Sequence, residues 1–146
     1  MSLMGVFDIA GSGMSAQSLR LNTTASNMAN ANSAASSAEQ TYRARHPVFM
    51  PVMNSAMQDP FAEPAHGAAS TSVMVAGIVE DGRPLQPRYE PGNPMANGDG
   101  YVFYPNVDIV EEMTNMISSS RAFQLNVDVM SAARTMMQRV MTLGQG

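Results

Sequence analysis

The sequence predicts a mainly α-helical protein with a small β part. Long N- and C-terminal helices pair as an antiparallel coiled coil, and a short β-hairpin unit lies in the middle. Three observations carry this expectation. All nine prolines lie between Pro47 and Pro105, so the flanks 1–46 and 106–146 contain none of the residue that breaks helices. Seven of the nine aromatic residues fall between Tyr42 and Tyr104, beside β-branched runs and Gly/Asn/Asp turn signals. The C-terminal flank repeats apolar residues at steps of three and four over about five heptads. The expected organisation is a helical segment 1–33, a linker and β-rich region 34–105, and a second helical segment 106–146.

Residues 3–32 read as a helix of weak intrinsic propensity. Phe7, Met14, Leu21 and Met28 recur at spacing seven, with Ala10, Gln17 or Ser18, and Ala25 between them. The remainder is Ser, Thr, Asn and Ala, with Gly11 and Gly13 near the start. These residues compete for backbone hydrogen bonds or cost up to about 1 kcal/mol each against alanine, so the helix needs a partner surface. Asn27 and Asn30 flank the apolar seam at i, i+3. Two readings stay open: solvated polarity at a helix end, or buried amides that fix the register of packed helices.

Residues 33–41 read as a small polar linker. Tyr42–Val52 is extended, with two X-Pro steps that suit an edge strand. Residues 54–71 have loop composition and are the expected mobile segment. Residues 72–80 are β-rich, Asp81-Gly82-Arg83-Pro84 reads as a turn, and Leu85–Tyr89 returns antiparallel. Turn residues follow until a short strand at Tyr101–Tyr104. The last helix is expected over 106–143, with Asn106 as its N-cap, Asp108, Glu111 and Glu112 matching the dipole, and Gly144 ending it. One row on this helix runs Val110, Met113, Ile117, Ser120, Phe123 or Gln124, Val127, Met130, Arg134, Met137 and Met141. A second runs Ile109, Met116, Phe123, Met130 and Met137.

A helix of 38 residues would span roughly 57 Å, more than a compact domain of this size needs. A rod of two such helices leaves apolar surface on its outside, which oligomerisation would cover. The expected assembly interface is therefore Phe7, Met14, Leu21, Ala25, Asn27, Met28 and Asn30 on the first helix. On the last helix it is Ile109, Met113, Met116, Ile117, Phe123, Val127, Met130, Met137 and Met141.

Other chemistry is hard to assemble from this chain. Of 146 residues, 45% are hydrophobic, 14% are charged and none is cysteine, which removes disulfides and thiol catalysis. All eight basic residues are arginine and the net charge is −4, which argues against nucleic acid as a partner. The N-terminus lacks a basic n-region, and no apolar run of about 18 residues exists, so neither a cleaved signal nor a bilayer-spanning segment is expected. Gly11-Ser12-Gly13-Met14-Ser15-Ala16 fits a degenerate dinucleotide fingerprint but lacks the following strand and acid. His66 with Glu63 and Asp59 sits in a proline-rich loop that is poorly suited to preorganise a metal. Glu111-Glu112 are adjacent on a helix and do not face one pocket. The serines lack a nucleophile elbow. The expectation is no enzyme activity, no cofactor and no metal.

Leu21-Asn22-Thr23-Thr24-Ala25-Ser26-Asn27-Met28-Ala29-Asn30-Ala31-Asn32-Ser33 resembles the N-terminal signature of the bacterial flagellar rod and hook proteins, the axial family. The likeness extends through Phe7–Ser12, Ala16-Gln17-Ser18, Tyr42–Arg45, Tyr89–Pro94, Gly100–Val102 and Pro105–Asp108. It continues through Glu112-Met113, Ser119–Val127 and Leu143–Gln145. Met28 stands where that family commonly has Leu or Ile, a volume-conserving change.

The resemblance implies a structural subunit of the proximal rod of the basal body. It would polymerise into a hollow drive shaft that transmits torque and lets export substrates pass. Implied partners are copies of itself, other proximal and distal rod proteins, the rod–membrane-ring adaptor and the flagellar export apparatus. The implied location is the periplasmic rod, reached by type III export without a cleaved signal. A second reading from a different class is a secreted helical adaptor or effector that binds a partner helix in a closed complex.

Overall fold

A computed structural model describes residues 3–53 and 71–144. Asp59, Glu63 and His66, and all of the expected mobile segment except Thr71, lie outside the described residues. The elements run α1 (Leu3–Asn30), β1 (Arg45–Met53), β2 (Thr71–Glu80), β3 (Gln86–Tyr89), β4 (Tyr101–Tyr104) and α2 (Ile109–Leu143). The two long helices pack together, and the strands form two small sheets, so the protein is mainly helical with a minor β part. No helix among the described residues is long and apolar enough to cross a membrane.

Strand pairing departs from the sequence expectation. β2 pairs with β1, not with the segment that follows Asp81-Gly82-Arg83-Pro84. β3 pairs antiparallel with β4, in register from Gln86 opposite Tyr104 to Tyr89 opposite Tyr101. The linker adds an antiparallel bridge from Ala35 to Phe103, so β4 is flanked on both sides. The reason lies around Asp81. Its backbone N–H donates to the Ala44 carbonyl at 2.7 Å, and its side chain accepts the Arg83 backbone N–H at 2.9 Å. The chain therefore leaves β2 along the start of β1 and does not fold back on itself.

The start of α2 departs too. Asp108 Oδ1 accepts from the backbone N–H groups of Val110 and Glu111, at 2.9 and 3.2 Å, so Asp108 is the N-cap. Asn106 is buried instead. It accepts the Ala44 N–H at 2.9 Å and donates to the carbonyls of Asp81 and Arg83, at 3.2 and 3.0 Å.

The chain divides into two compact units. The first comprises Met1–Leu19, Phe49–Ala76 and Ser119–Gly146. Within it Ala10, Ala16 and Ala133 are buried, Asn126 lies against Gly13, and Ser12 Oγ accepts the Val73 N–H of β2 at 3.1 Å. A Cβ on Gly13 would stand 3.0 Å from Asn126 Nδ2, so glycine there permits the close approach.

The second unit comprises Arg20–Val48 and Gly77–Ser118. Its core is Ala31, Ala44 and Val107 with Tyr42 packed against it, and Val102 and Pro105 are fully buried nearby. At its edge Asp81 binds the Arg83 guanidinium, which also reaches Glu111 at 3.2 Å, while His46 lies 3.7 Å from the same carboxylate. The hydrogen bond from the Arg83 backbone N–H, and then that from its guanidinium, holds the Asp81 carboxyl below its ordinary value of 3.8. Gly100 has φ +81°, and a Cβ there would meet the Tyr89 ring at 2.9 Å. Tyr89 and Tyr101 stack edge to face with centroids 5.3 Å apart.

Candidate assembly surface

Burial along α2 resolves into two faces. Glu112, Met116, Ser119, Phe123, Asn126, Met130, Ala133 and Met137 step by four and three, and each is buried or half-buried. Val110, Met113, Ile117, Ser120, Gln124, Val127, Ser131, Arg134, Gln138 and Met141 step by the same rule, and each is exposed. The helix thus keeps a coiled-coil period, and small or polar residues take every second inward position: Glu112, Ser119, Asn126 and Ala133 recur at spacing seven, with half-buried Met116, Phe123, Met130 and Met137 between them. The buried residues on α1 are small or polar as well: Ala10, Ala16, Thr23, Thr24 and Asn27. Small side chains let helix backbones approach closely, and the polar ones must then find partners in the seam.

Asn27 shows how that requirement is met in the second unit. It is 0% exposed and forms four hydrogen bonds. Its Oδ1 accepts from the Tyr42 hydroxyl at 2.8 Å and from the Arg45 N–H at 2.9 Å. Its Nδ2 donates to the Arg45 carbonyl at 2.8 Å and to Glu112 Oε1 at 2.9 Å. One amide therefore joins α1, the start of β1 and the first turn of α2, and a flip would set donor against donor. Of the two readings open at Asn27, the buried one describes this side chain. Asn30 differs: it is half-buried and donates only to the Ser26 carbonyl one turn back. Arg20 adds a second tie, donating to Asn115 Oδ1 at 3.0 Å.

The remaining interface candidates separate by burial. In the first unit Phe7, Met14, Phe123, Met130 and Met137 are half-buried, while Val127 and Met141 are exposed. In the second unit Leu21, Met28 and Met116 are half-buried, while Ala25, Ile109, Met113 and Ile117 are exposed. The row through Val110, Met113, Ile117, Val127 and Met141 is thus turned away from α1, whereas Met116, Phe123, Met130 and Met137 of the second row lie on the inward face. Thr23, Thr24, Glu112, Ser119 and Ala133 were missed by counting apolar residues. The recurrence of small and polar residues at spacing seven was the available signal.

The consequence is an inverted distribution of size. Among the described residues no buried hydrophobic is larger than valine. Meanwhile Val110 is 72% exposed, Met113 50%, Ile117 54% and Leu125 65%, with Val129, Met136, Val140 and Leu143 also exposed. Covering such exposed apolar side chains lowers free energy.

Comparison with known proteins gives the same direction. Residues 7–34 match the family described as Flagella basal body rod protein, and residues 99–143 match Flagellar basal body rod FlgEFG protein C-terminal. The flagellar basal-body rod protein FlgC of Salmonella typhimurium is 45% identical over 145 residues, covering 99% of this chain and 100% of the relative. The protein of that name from Escherichia coli O6:H1 is 46% identical over the same length and coverage. That from Borreliella burgdorferi is 34% identical over 152 residues, covering 100% of both chains.

Proposed function

The chain belongs to the FlgC family of flagellar basal-body rod proteins, and from that premise we propose that it is a structural subunit of the rod whose outward α2 row is buried by neighbouring subunits. The observation that carries this reading is the inverted distribution: alanine, threonine and asparagine fully buried inside, and Val110, Met113, Ile117, Val127 and Met141 exposed on the outward row. Fully burying one such large side chain is worth roughly 1.5–3 kcal/mol, so a handful covered per subunit supplies a substantial assembly free energy. Head-to-tail repetition of one patch against another generates a helical polymer without closure.

The finer parts of the reading follow from it. The subunit occupies the proximal part of the rod, in a hollow shaft that carries torque and passes export substrates. Its neighbours are itself, other rod proteins, the membrane-ring adaptor and the export apparatus, and it reaches the periplasm through the type III route. The test is complementation of a strain lacking its own FlgC. Restoration of the rod and everything distal to it supports the reading. A chain that is stably produced and exported yet leaves the strain without rods refutes it.

A further inference from the structure

Fifteen methionines and no cysteine make the thioether the only sulfur chemistry of this chain. Six of them lie on α2: Met113, Met116, Met130, Met136, Met137 and Met141. The fold sorts them into two classes. Met113, Met136 and Met141 are 50%, 58% and 61% exposed, among Val110 and Ile117 in one unit and Val140 and Leu143 in the other. Met116, Met130 and Met137 are half-buried on the inward row. Oxidation turns a flexible apolar side chain into a polar, chiral one and disrupts methionine-rich interfaces.

We propose that Met113, Met136 and Met141 are oxidation-controlled modification sites of the free subunit, and that their sulfoxides exclude it from assembly. The oxidant is a peroxide. The thioether sulfur attacks one oxygen of hydrogen peroxide, an S–O bond forms as the O–O bond breaks, and the proton on the transferred oxygen passes to the departing hydroxide, which leaves as water. Sulfur loses two electrons and the peroxide gains them. A dithiol reductant reverses the step, releasing water and leaving a disulfide on the reductant. The assembly half of the proposal rests on the rod-subunit reading. The order of oxidation rests on exposure alone.

Two measurements separate these parts. The purified full chain is exposed to graded hydrogen peroxide, and oxygen incorporation is followed by peptide mass spectrometry. Met113, Met136 and Met141 should oxidise at least roughly threefold faster than Met116, Met130 and Met137. Equal rates would overturn the proposal. In cells whose sole copy is this chain, a peroxide pulse precedes rod purification. The three outer sulfoxides should be several-fold rarer in rods than in the unassembled pool. Equal sulfoxide content in rods and pool would overturn the assembly half. Cells of this strain that build no rods without peroxide would instead overturn the rod reading.

Discussion

Replacing Asn27 with alanine should be among the most damaging single changes in the second unit. The substitution removes four hydrogen bonds from a side chain with no solvent access. Tyr42 keeps a weaker alternative, because its hydroxyl lies 3.4 Å from Ser26 Oγ. The Arg45 N–H, the Arg45 carbonyl and Glu112 Oε1 lose the partner that Asn27 supplied. Glu112 is 2% exposed, and its Oε2 already has no hydrogen-bond partner among the described residues. Stranding a buried polar group costs about 1–3 kcal/mol, and partial wetting of the cavity recovers some of it. The expected loss is about 3–5 kcal/mol, a large share of the roughly 5–15 kcal/mol that holds a typical domain folded. The assay is urea denaturation followed by tyrosine emission. The chain has no tryptophan, and Tyr42, Tyr89, Tyr101 and Tyr104 all lie in the second unit, so the signal reports that unit. A double-mutant cycle with Glu112→Ala should give a coupling of about 1–3 kcal/mol. A loss below about 1 kcal/mol, or strictly additive effects, would refute the description of Asn27 as the amide that joins these segments.

Gly100→Ala should destabilise the same unit by roughly 1–3 kcal/mol, since it combines a positive φ with a close approach to the Tyr89 ring. Gly98→Ala, where a Cβ meets nothing within 4 Å, should change the urea midpoint little, and equal effects at both positions would contradict the geometry. Asp81 gives a pH signature. Its folded value is depressed, so its contribution is fully present above the unfolded value of 3.8 and is lost as pH falls from there through the lower folded value. The midpoint difference between the wild type and Asp81→Asn should shrink on acidification from about pH 5 to pH 2, and a constant difference would contradict the assignment. Phe123→Asp should unfold part of the first unit by placing a charge in the helix seam, visible as lost helical circular dichroism. An unchanged spectrum would show that the inward row is wrongly placed.

The helices were legible because proline-free flanks and heptad spacing are local properties. Tyr101–Tyr104 was legible because turn residues bracket an aromatic, β-branched run. The hairpin that the turn residues Asp81–Pro84 suggest does not form because Asp81 and Arg83 hand their carbonyls to Asn106, more than twenty residues away, and nothing in the local sequence records that. The same tertiary use of Asn106 moved the N-cap to Asp108, an equally good capping residue by type. The seam was partly hidden for a different reason. Apolar periodicity finds the face that must be buried somewhere, and in a subunit of a polymer that face need not be the one turned toward its own chain. Asn27 was visible as a candidate, but its partners Tyr42, Arg45 and Glu112 come from three places in the sequence that only the fold brings together.

The central claim is that the outward α2 row serves assembly and not folding. The direct measurement is a comparison of Met113→Asp and Ile117→Asp in a strain lacking its own FlgC, with urea stability of each purified chain measured alongside. The account predicts midpoints close to wild type, because both side chains are about half exposed in the subunit. It also predicts loss of the rod, because an aspartate buried by a neighbour would be an unpaired charge. Stable variants that build rods and swim as the wild type does would contradict it.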